Sequence, residues 1–351
     1  MVVDVLSFNS FSNTRVGQHT LAGIMLKHAS KFPGFKALFN HEVQTVTQND
    51  DSVTVSGKTS DGEPFSYTTS YLVGADGGKS TVRKQLGLSL EGFSWDESYL
   101  ATNIYYPFET LGYAEANFVI GGGRDWAIVC RTGDKKAPWR CTYGEVSPQE
   151  ASDEEVYGRV PQRLKKYLRG VPVEDIKIDQ IARYNVHQRC AKTFRVGRVF
   201  LAGDAAHLTQ PMYLLLQNNL ICSGGYGLTT GITDAATLGD ALAATIKDEK
   251  LHLLGDRDLL EEYNTLRRET FLKVTNERSI AAKKICQMDP EHIPQEFLDH
   301  LKAQEQDPAL GREMMVSSMD LQTLLDIPKE LKGEEWGPKG PPVVHPVNGN
   351  A

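Results

Sequence analysis

Apolar residues recur at helical spacing from Gln18 to Ser30 (QHTLAGIMLKHAS), with Leu21, Ile24 and Met25 on one side and Pro33-Gly34 ending the run, so a helix is predicted there. The pattern then switches to period two. EVQTVTQNDDSVTVSG, Glu42 to Gly57, holds two β-branched segments around Asn49-Asp50-Asp51, and FSYTTSYLVGADGG, Phe65 to Gly78, predicts a third strand running into a glycine turn. Between Tyr99 and Val146, the segments YLATNIYYPF, ANFVIGG, WAIVCRTG and WRCTYGEV are short, aromatic or β-branched, and separated by Gly, Pro or Asp-Lys; they predict an antiparallel sheet. Ser152 to Gly170 opens on the Ser-x-x-Glu pattern of a helix start and carries Pro161 as a break. After a polar connection, GRVFLAGDAAH (Gly197 to His207) reads as a buried strand ending at Gly203-Asp204, and helices are predicted over Asp234 to Lys247 and Asp256 to about Gln287. From Ile327 the chain is rich in Pro and Gly and is expected to lack structure.

Composition narrows the classes. The 351 residues are 40% hydrophobic and 24% charged, with a formal net charge of −7, which fits a globular protein and argues against nucleic acid as a partner. Cys130, Cys141, Cys190, Cys222 and Cys286 are odd in number and lack C-x-x-C spacing, so neither a disulfide framework nor a metal site is expected. No run approaches the length of a membrane span and no leader pattern opens the chain, giving the expectation of a cytoplasmic protein.

Two constellations carry chemistry. In YLVGADGGKSTVRKQLG, Tyr71 to Gly87, a strand enters Asp76-Gly77-Gly78, with Ser80 and Arg83 at the start of a helical turn; glycines there allow close backbone approach to a ligand, though such connections are also common scaffolding. The strand ending at Gly203-Asp204 suits a carboxylate that accepts hydrogen bonds from sugar hydroxyls. Downstream, GGYGLTTGITDAATLGDALAATI is a glycine turn feeding a long helix, whose start favours an anion or an electron-rich carbonyl. Other residues have plain readings beside the functional ones. His207 reads as a structural residue under the loop, His187 and Tyr184 face either a substrate cavity or a surface, and Gly121-Gly122-Gly123 reads as a hairpin turn.

ADGGKSTVR (Ala75 to Arg83), LAGDAAHLTQP (Leu201 to Pro211) and GGYGLTTGITDAATL (Gly224 to Leu238), in that order, resemble the FAD-dependent aromatic hydroxylases, the group A flavin monooxygenases that include p-hydroxybenzoate and phenol hydroxylases. With Arg15 and Gln18 the resemblance extends over roughly residues 12 to 290. It implies a mixed α/β (α+β) fold, with a partial Rossmann-like FAD-binding domain interleaved with an antiparallel-sheet substrate domain. The expected divisions are 1–92 and 186–290 for the FAD-binding parts, 93–185 for the substrate domain, and 291–351 for a C-terminal extension. It further implies FAD as cofactor, NAD(P)H as reductant, and a small ring substrate with O2. By the same resemblance Arg15 and Gln18 approach the cofactor from the first helix. Asp76 belongs to the shared FAD and NAD(P)H motif, and Gly203-Asp204 holds ribityl or ribose hydroxyls. Pro211 lies beside the flavin ring, and Gly227, Leu228 and Thr229 form the loop whose amides meet the flavin's pyrimidine edge. Arg131, Trp139 and Tyr143 lie on strands that cover the substrate in that family, plain sheet packing being the other reading.

Two departures stand out. The family opens with a strand and G-x-G-x-x-G, which this sequence lacks, so the chain is expected to be N-terminally truncated and to hold flavin poorly. The apolar stretch MYLLLQNNLICS, Met212 to Ser223, separates Pro211 from the glycine turn; it is either a lid or a short intron translated in frame, the second being the reading adopted. The rival functions are a non-catalytic remnant that acts in binding and a flavin-dependent reductase; no W-x-W-x-I-P supports a halogenase.

Overall fold

The computed structural model describes residues 4–8, 18–133, 138–146, 151–210, 226–296, 299 and 325–332. In chain order, β1 (Asp4–Phe8), α1 (Gln18–Ala29), β2 (His41–Gln48), β3 (Val53–Thr59), β4 (Pro64–Thr69) and β5 (Leu72–Gly74) precede α2 (Thr81–Gln85) and the long β6 (Leu90–Tyr105). Then come β7 (Ala116–Ile120), β8 (Trp126–Arg131), β9 (Trp139–Glu145), α3 (Asp153–Gly158), α4 (Val160–Leu164) and β10 (Lys177–Ala191). The short β11 (Arg195–Val196), β12 (Val199–Leu201) and β13 (His207–Leu208) lead to α5 (Tyr226–Leu251), α6 (Leu259–Thr270) and α7 (Asn276–Cys286).

Seven strands form one antiparallel sheet in the order β1-β7-β8-β9-β6-β10-β13. Side chains alternate across it, so the period-two pattern sorts two cores. On one face Leu100, Ile104, Val129, Trp139, Cys141 and Tyr143 are buried with Val156, Val160 and Leu164 of α3 and α4. On the other face Tyr99, Phe118, Ile120 and Trp126 pack with Ala282, Ile285 and Cys286 of α7. A third core joins Val199, Phe200 and Leu201 of β12 to Leu238 and Ala241 of α5 and Leu260 and Tyr263 of α6. Each Val, Leu, Ile or Phe among them contributes roughly 1.5–3 kcal/mol on burial.

Local chemistry sets the element ends. Ser152 and Glu155 form the reciprocal cap of α3, and Pro161 in α4 separates the two short helices as its missing amide requires. Asp258 Oδ1 accepts from the amides of Leu260 at 3.0 Å and Glu261 at 3.1 Å, capping α6. The triglycine forms the β7–β8 hairpin, with Gly122 and Gly123 at φ 88° and 56°.

Four expectations are corrected or refined. The predicted third strand is two strands in different sheets: β4 pairs β3, whereas β5 runs parallel to β12. The helix expected from Asp234 begins two turns earlier, at Tyr226. The helix expected over Asp256 to Gln287 is present as one continuous run from Leu259 to Cys286, the differences being its later start and a π-helical segment at Phe271–Thr275 between α6 and α7. Of the tail from Ile327, residues 327–332 are described and are held in place, with Ile327 and Leu331 buried in the α5–α6 core and Arg257 Nη1 donating to the Asp326 carbonyl at 2.8 Å; the remainder of that expectation lies outside the described residues. Among the described residues no helix is long and apolar enough to cross a membrane.

Candidate functional site

β5 and β12 lie parallel in the register Leu72–Val199, Val73–Phe200, Gly74–Leu201, so their carboxyl ends deliver both glycine turns to one edge. Such an edge is where parallel sheets of α/β proteins receive ligands. Arg83 clasps the turns together: Nη1 donates to the Ala205 carbonyl at 2.9 Å and Nη2 to the Gly78 carbonyl at 2.7 Å. Burial lowers the Arg83 pKa and Asp76 opposes the shift. Asp76 itself braces the first turn. Its Oδ1 accepts from the Ser80 hydroxyl, and its Oδ2 from the amides of Thr81 at 2.7 Å and Val82 at 3.1 Å.

The second turn is held from below. Gly203 adopts φ +60°, open to glycine without strain, and its amide donates to Asp234 Oδ2 at 3.1 Å. Asp234 is fully buried; the same oxygen accepts from His207 Nε2 at 2.7 Å, and Oδ1 accepts from Arg267 Nε at 2.9 Å. Burial would raise the Asp234 pKa, but His207 and Arg267 outweigh it and the pKa is lowered. The His207 ring stacks on Phe271 at 4.5 Å, and its Nδ1 has no hydrogen-bond partner among the described residues. That geometry supports the structural reading of His207.

Asp204 differs from every other carboxylate here. It is exposed, yet partial burial raises its pKa against the pull of His207. It makes no hydrogen bond or ion pair among the described residues, so both oxygens can accept from a ligand. Gly227, Leu228 and Thr229 lie in the first turn of α5 rather than in a loop, and first-turn amides have no acceptor within their own helix. Two close approaches bring that helix to the Asp204 turn. A Cβ added at Gly231 would stand 3.1 Å from Gly203 Cα, and one at Gly227 would stand 3.5 Å from Thr209 Cγ2. Gln18 is the first residue of α1, while Arg15, Pro211 and the stretch Met212 to Ser223 lie outside the described residues.

The segment leaving β13 is tied to the large sheet and α7. Tyr99 Oη donates to Gln210 Oε1 at 3.1 Å, the Gln210 amide donates to Gln188 Oε1 at 3.1 Å, and Thr209 Oγ1 donates to Ser279 Oγ at 2.7 Å. Beside Tyr99, the buried Lys283 pairs with Glu97 and lies 4.6 Å from the Trp95 ring centroid. Trp139 and Tyr143 face the α3–α4 core, and Arg131 lies over Trp139 at 4.8 Å, so sheet packing is their role. Tyr184 is half-buried on the α7 side, and His187 Nδ1 meets Ser94 Oγ at 2.9 Å. Sequence reasoning missed Asp234, Arg267 and the Glu97–Lys283 pair. For Asp234 the sequence carried no distinct signal, since an acid at the expected helix start is already accounted for by the helix dipole.

A family profile described as FAD binding domain matches residues 3–278. The chain is 40% identical over 267 residues to para-nitrophenol 4-monooxygenase of Pseudomonas sp. (strain WBC-3), covering 76% of this chain and 61% of that protein. It is 30% identical over 269 residues to 6-hydroxy-3-succinoylpyridine 3-monooxygenase HspB of Pseudomonas putida (strain DSM 28022 / S16), covering 75% and 62%. The chain thus spans about three fifths of the length of these curated relatives. Among solved structures, p-nitrophenol 4-monooxygenase PnpA from Pseudomonas putida DLL-E4 matches with a TM-score of 0.73 at 35% identity, over 88% of this chain and 73% of that one. With its paired glycine turns, the α5 start and this profile match, the chain belongs to the FAD binding domain family.

Proposed function

We propose that the protein acts as an FAD-dependent monooxygenase that hydroxylates a small aromatic or related ring, with NAD(P)H as reductant and O2 as co-substrate. The observation that carries this reading is the meeting of the Gly203-Asp204 turn with the first turns of α5, fastened by Asp234. The residues fit the cofactor chemically: an unpartnered carboxylate suits a polyhydroxyl chain, glycines admit close backbone approach, and helix-start amides suit an electron-rich carbonyl.

Bound FAD would supply the redox chemistry, taking hydride from NAD(P)H and activating oxygen for transfer to the ring. The protein's own groups bind, orient and exclude water. Asp204 accepts hydrogen bonds from the cofactor's hydroxyls. The amides of Gly227, Leu228 and Thr229, at the positive end of the α5 dipole, favour negative charge on the flavin ring. Asp234, Arg267 and Arg83 hold both turns at fixed separation, and the α7 face of the large sheet walls the ring substrate from solvent. In this reading 1–92 with 186–290 and 93–185 work as two interleaved units. Para-nitrophenol is the first probe, since a relative acts on it by name. With FAD, NAD(P)H and isotopically labelled oxygen, the product should carry label from O2. NAD(P)H oxidation that yields only hydrogen peroxide would favour a reductase, and no flavin-dependent turnover would favour a binding role.

A further inference from the structure

No Asp or Glu occurs between Asp4 and Glu42, a stretch that carries Arg15, Lys27, Lys31 and Lys36 in a chain whose formal net charge is −7. The same stretch holds more apolar surface than it buries. In α1, Leu21, Leu26 and Ala29 are half-buried, yet Ile24 and Met25 are 56% and 55% exposed. A helix that is apolar on more than one side requires cover on more than one side. The chain then turns at Pro33-Gly34, held by the Phe32 amide donating to the Ala29 carbonyl at 3.0 Å and the Phe35 amide to the Phe32 carbonyl at 3.0 Å. Every residue from 31 to 40 is exposed. Among them Phe32, Phe35, Leu38 and Phe39 hold apolar side chains in water, Phe39 at 66% exposure.

Large apolar side chains exposed together in one segment, rather than scattered singly, mark a contact surface. The charges say what it contacts. Lys27, Lys31 and Lys36 are exposed and alternate with the apolar positions, and their long stems let the ammonium groups stand level with phosphates while the rings go deeper. Acid returns only at the edge, where Glu42 follows His41 and the Ser60 amide donates to the Asn40 carbonyl at 2.9 Å, bringing the β3–β4 turn with Asp61 to the end of the segment. A run exposed at every residue offers no groove to a partner helix, whereas a bilayer requires none. We propose that α1 and the turn after it form a peripheral docking surface for an anionic phospholipid bilayer, with Phe35 and Phe39 entering the boundary between headgroups and acyl chains and the three lysines meeting the phosphates. The net negative charge of the rest of the chain is repelled by the same bilayer, so this one face is selected. Docking of this kind uses no spanning helix and is independent of the monooxygenase reading.

The test is flotation of the full chain with vesicles of equal parts phosphatidylserine and phosphatidylcholine, and with vesicles of phosphatidylcholine alone. Partition onto the anionic vesicles should exceed partition onto the neutral ones by about tenfold or more, and Lys27→Gln and Lys31→Gln should each weaken it about fivefold. Phe35→Ser combined with Phe39→Ser should weaken binding to both kinds of vesicle. All four sites are exposed, so melting temperatures should not change. Phe39→Trp should add emission that lipids brominated in the acyl chain quench. Absence of partition onto anionic vesicles, equal partition onto both kinds, or partition that survives the lysine and phenylalanine variants would overturn the proposal. A concentration-dependent dimer in sedimentation, abolished by the phenylalanine pair in a chain that does not float with vesicles, would overturn it in favour of a second copy of the chain.

Discussion

Gly231 presses its bare face against Gly203, so that a methyl group built on it would stand 3.1 Å from the Gly203 Cα. Helix and turn are thus joined where neither has a side chain. Gly231→Ala sets a helix-propensity gain of up to about 1 kcal/mol against overpacking of about 1–3 kcal/mol. The backbone of Gly203, already pinned by Asp234, has little room to give. A net loss of stability is expected, whereas Gly239→Ala in the same helix, with nothing within 4 Å of the new methyl, should be stabilising. Chemical denaturation of the two variants provides the comparison; a stabilised Gly231→Ala would show that the contact is loose.

Asp234 gives the fold a signed pH dependence. Its folded pKa lies below the ordinary 3.8, so its contribution is present above that value and is lost as pH falls through the lower folded one. Asp234→Asn leaves Arg267 buried without its counter-charge and should cost about 3–5 kcal/mol at neutral pH. The variant should also show a shallower fall in stability on acidification. Parallel urea titrations across the acid range test both, and identical slopes in variant and wild type would contradict the assignment.

Arg83 bonds to both glycine turns. Arg83→Met removes two charge-assisted bonds, each worth about 1.5–3 kcal/mol, and leaves two carbonyls to water. Hydrogen exchange should quicken at Ala205 and Ala206 with little change in the β6–β9 sheet. Uniform acceleration throughout would mean that Arg83 serves the whole fold rather than the turns.

The strands of the large sheet and the cap at Ser152 were legible because period two and the Ser-x-x-Glu pattern are local signals. What the pattern lacked was partner information. The alternation from Phe65 to Val73 continues through Ser70, where the chain changes sheets. The change is marked only by a distant residue, Arg198, whose carbonyl accepts from the Leu72 amide at 3.1 Å. Likewise Gly227 and Gly231 looked like loop residues; they are helical because a bare face is needed against Thr209 and Gly203. Alternation showed that Trp139 and Tyr143 share a face but not which helices cover it. Gly203 and Asp204 were legible as a turn, whereas Asp234 beneath them needed the third dimension.

Asp204 separates function from stability. Its raised pKa means that the ionised form is disfavoured in the fold, so stability falls as pH rises from 3.8 through the folded value. Asp204→Asn should therefore keep or raise the melting temperature at neutral pH, a sign opposite to that for Asp234→Asn. A lowered melting temperature would mean that Asp204 has a structural role instead.

The central claim is that FAD is held at the Gly203-Asp204 turn beside the start of α5. Titration of the chain with FAD, followed by flavin fluorescence and calorimetry, tests it most directly when wild type and Asp204→Ala are compared. The account predicts weak but saturable binding, since this sequence lacks the G-x-G-x-x-G turn, and a further loss of about one to two decades in the variant, the loss of a charge-assisted hydrogen bond of roughly 1.5–3 kcal/mol. Equal affinity in the two proteins, or no saturable binding by the wild type, would contradict it.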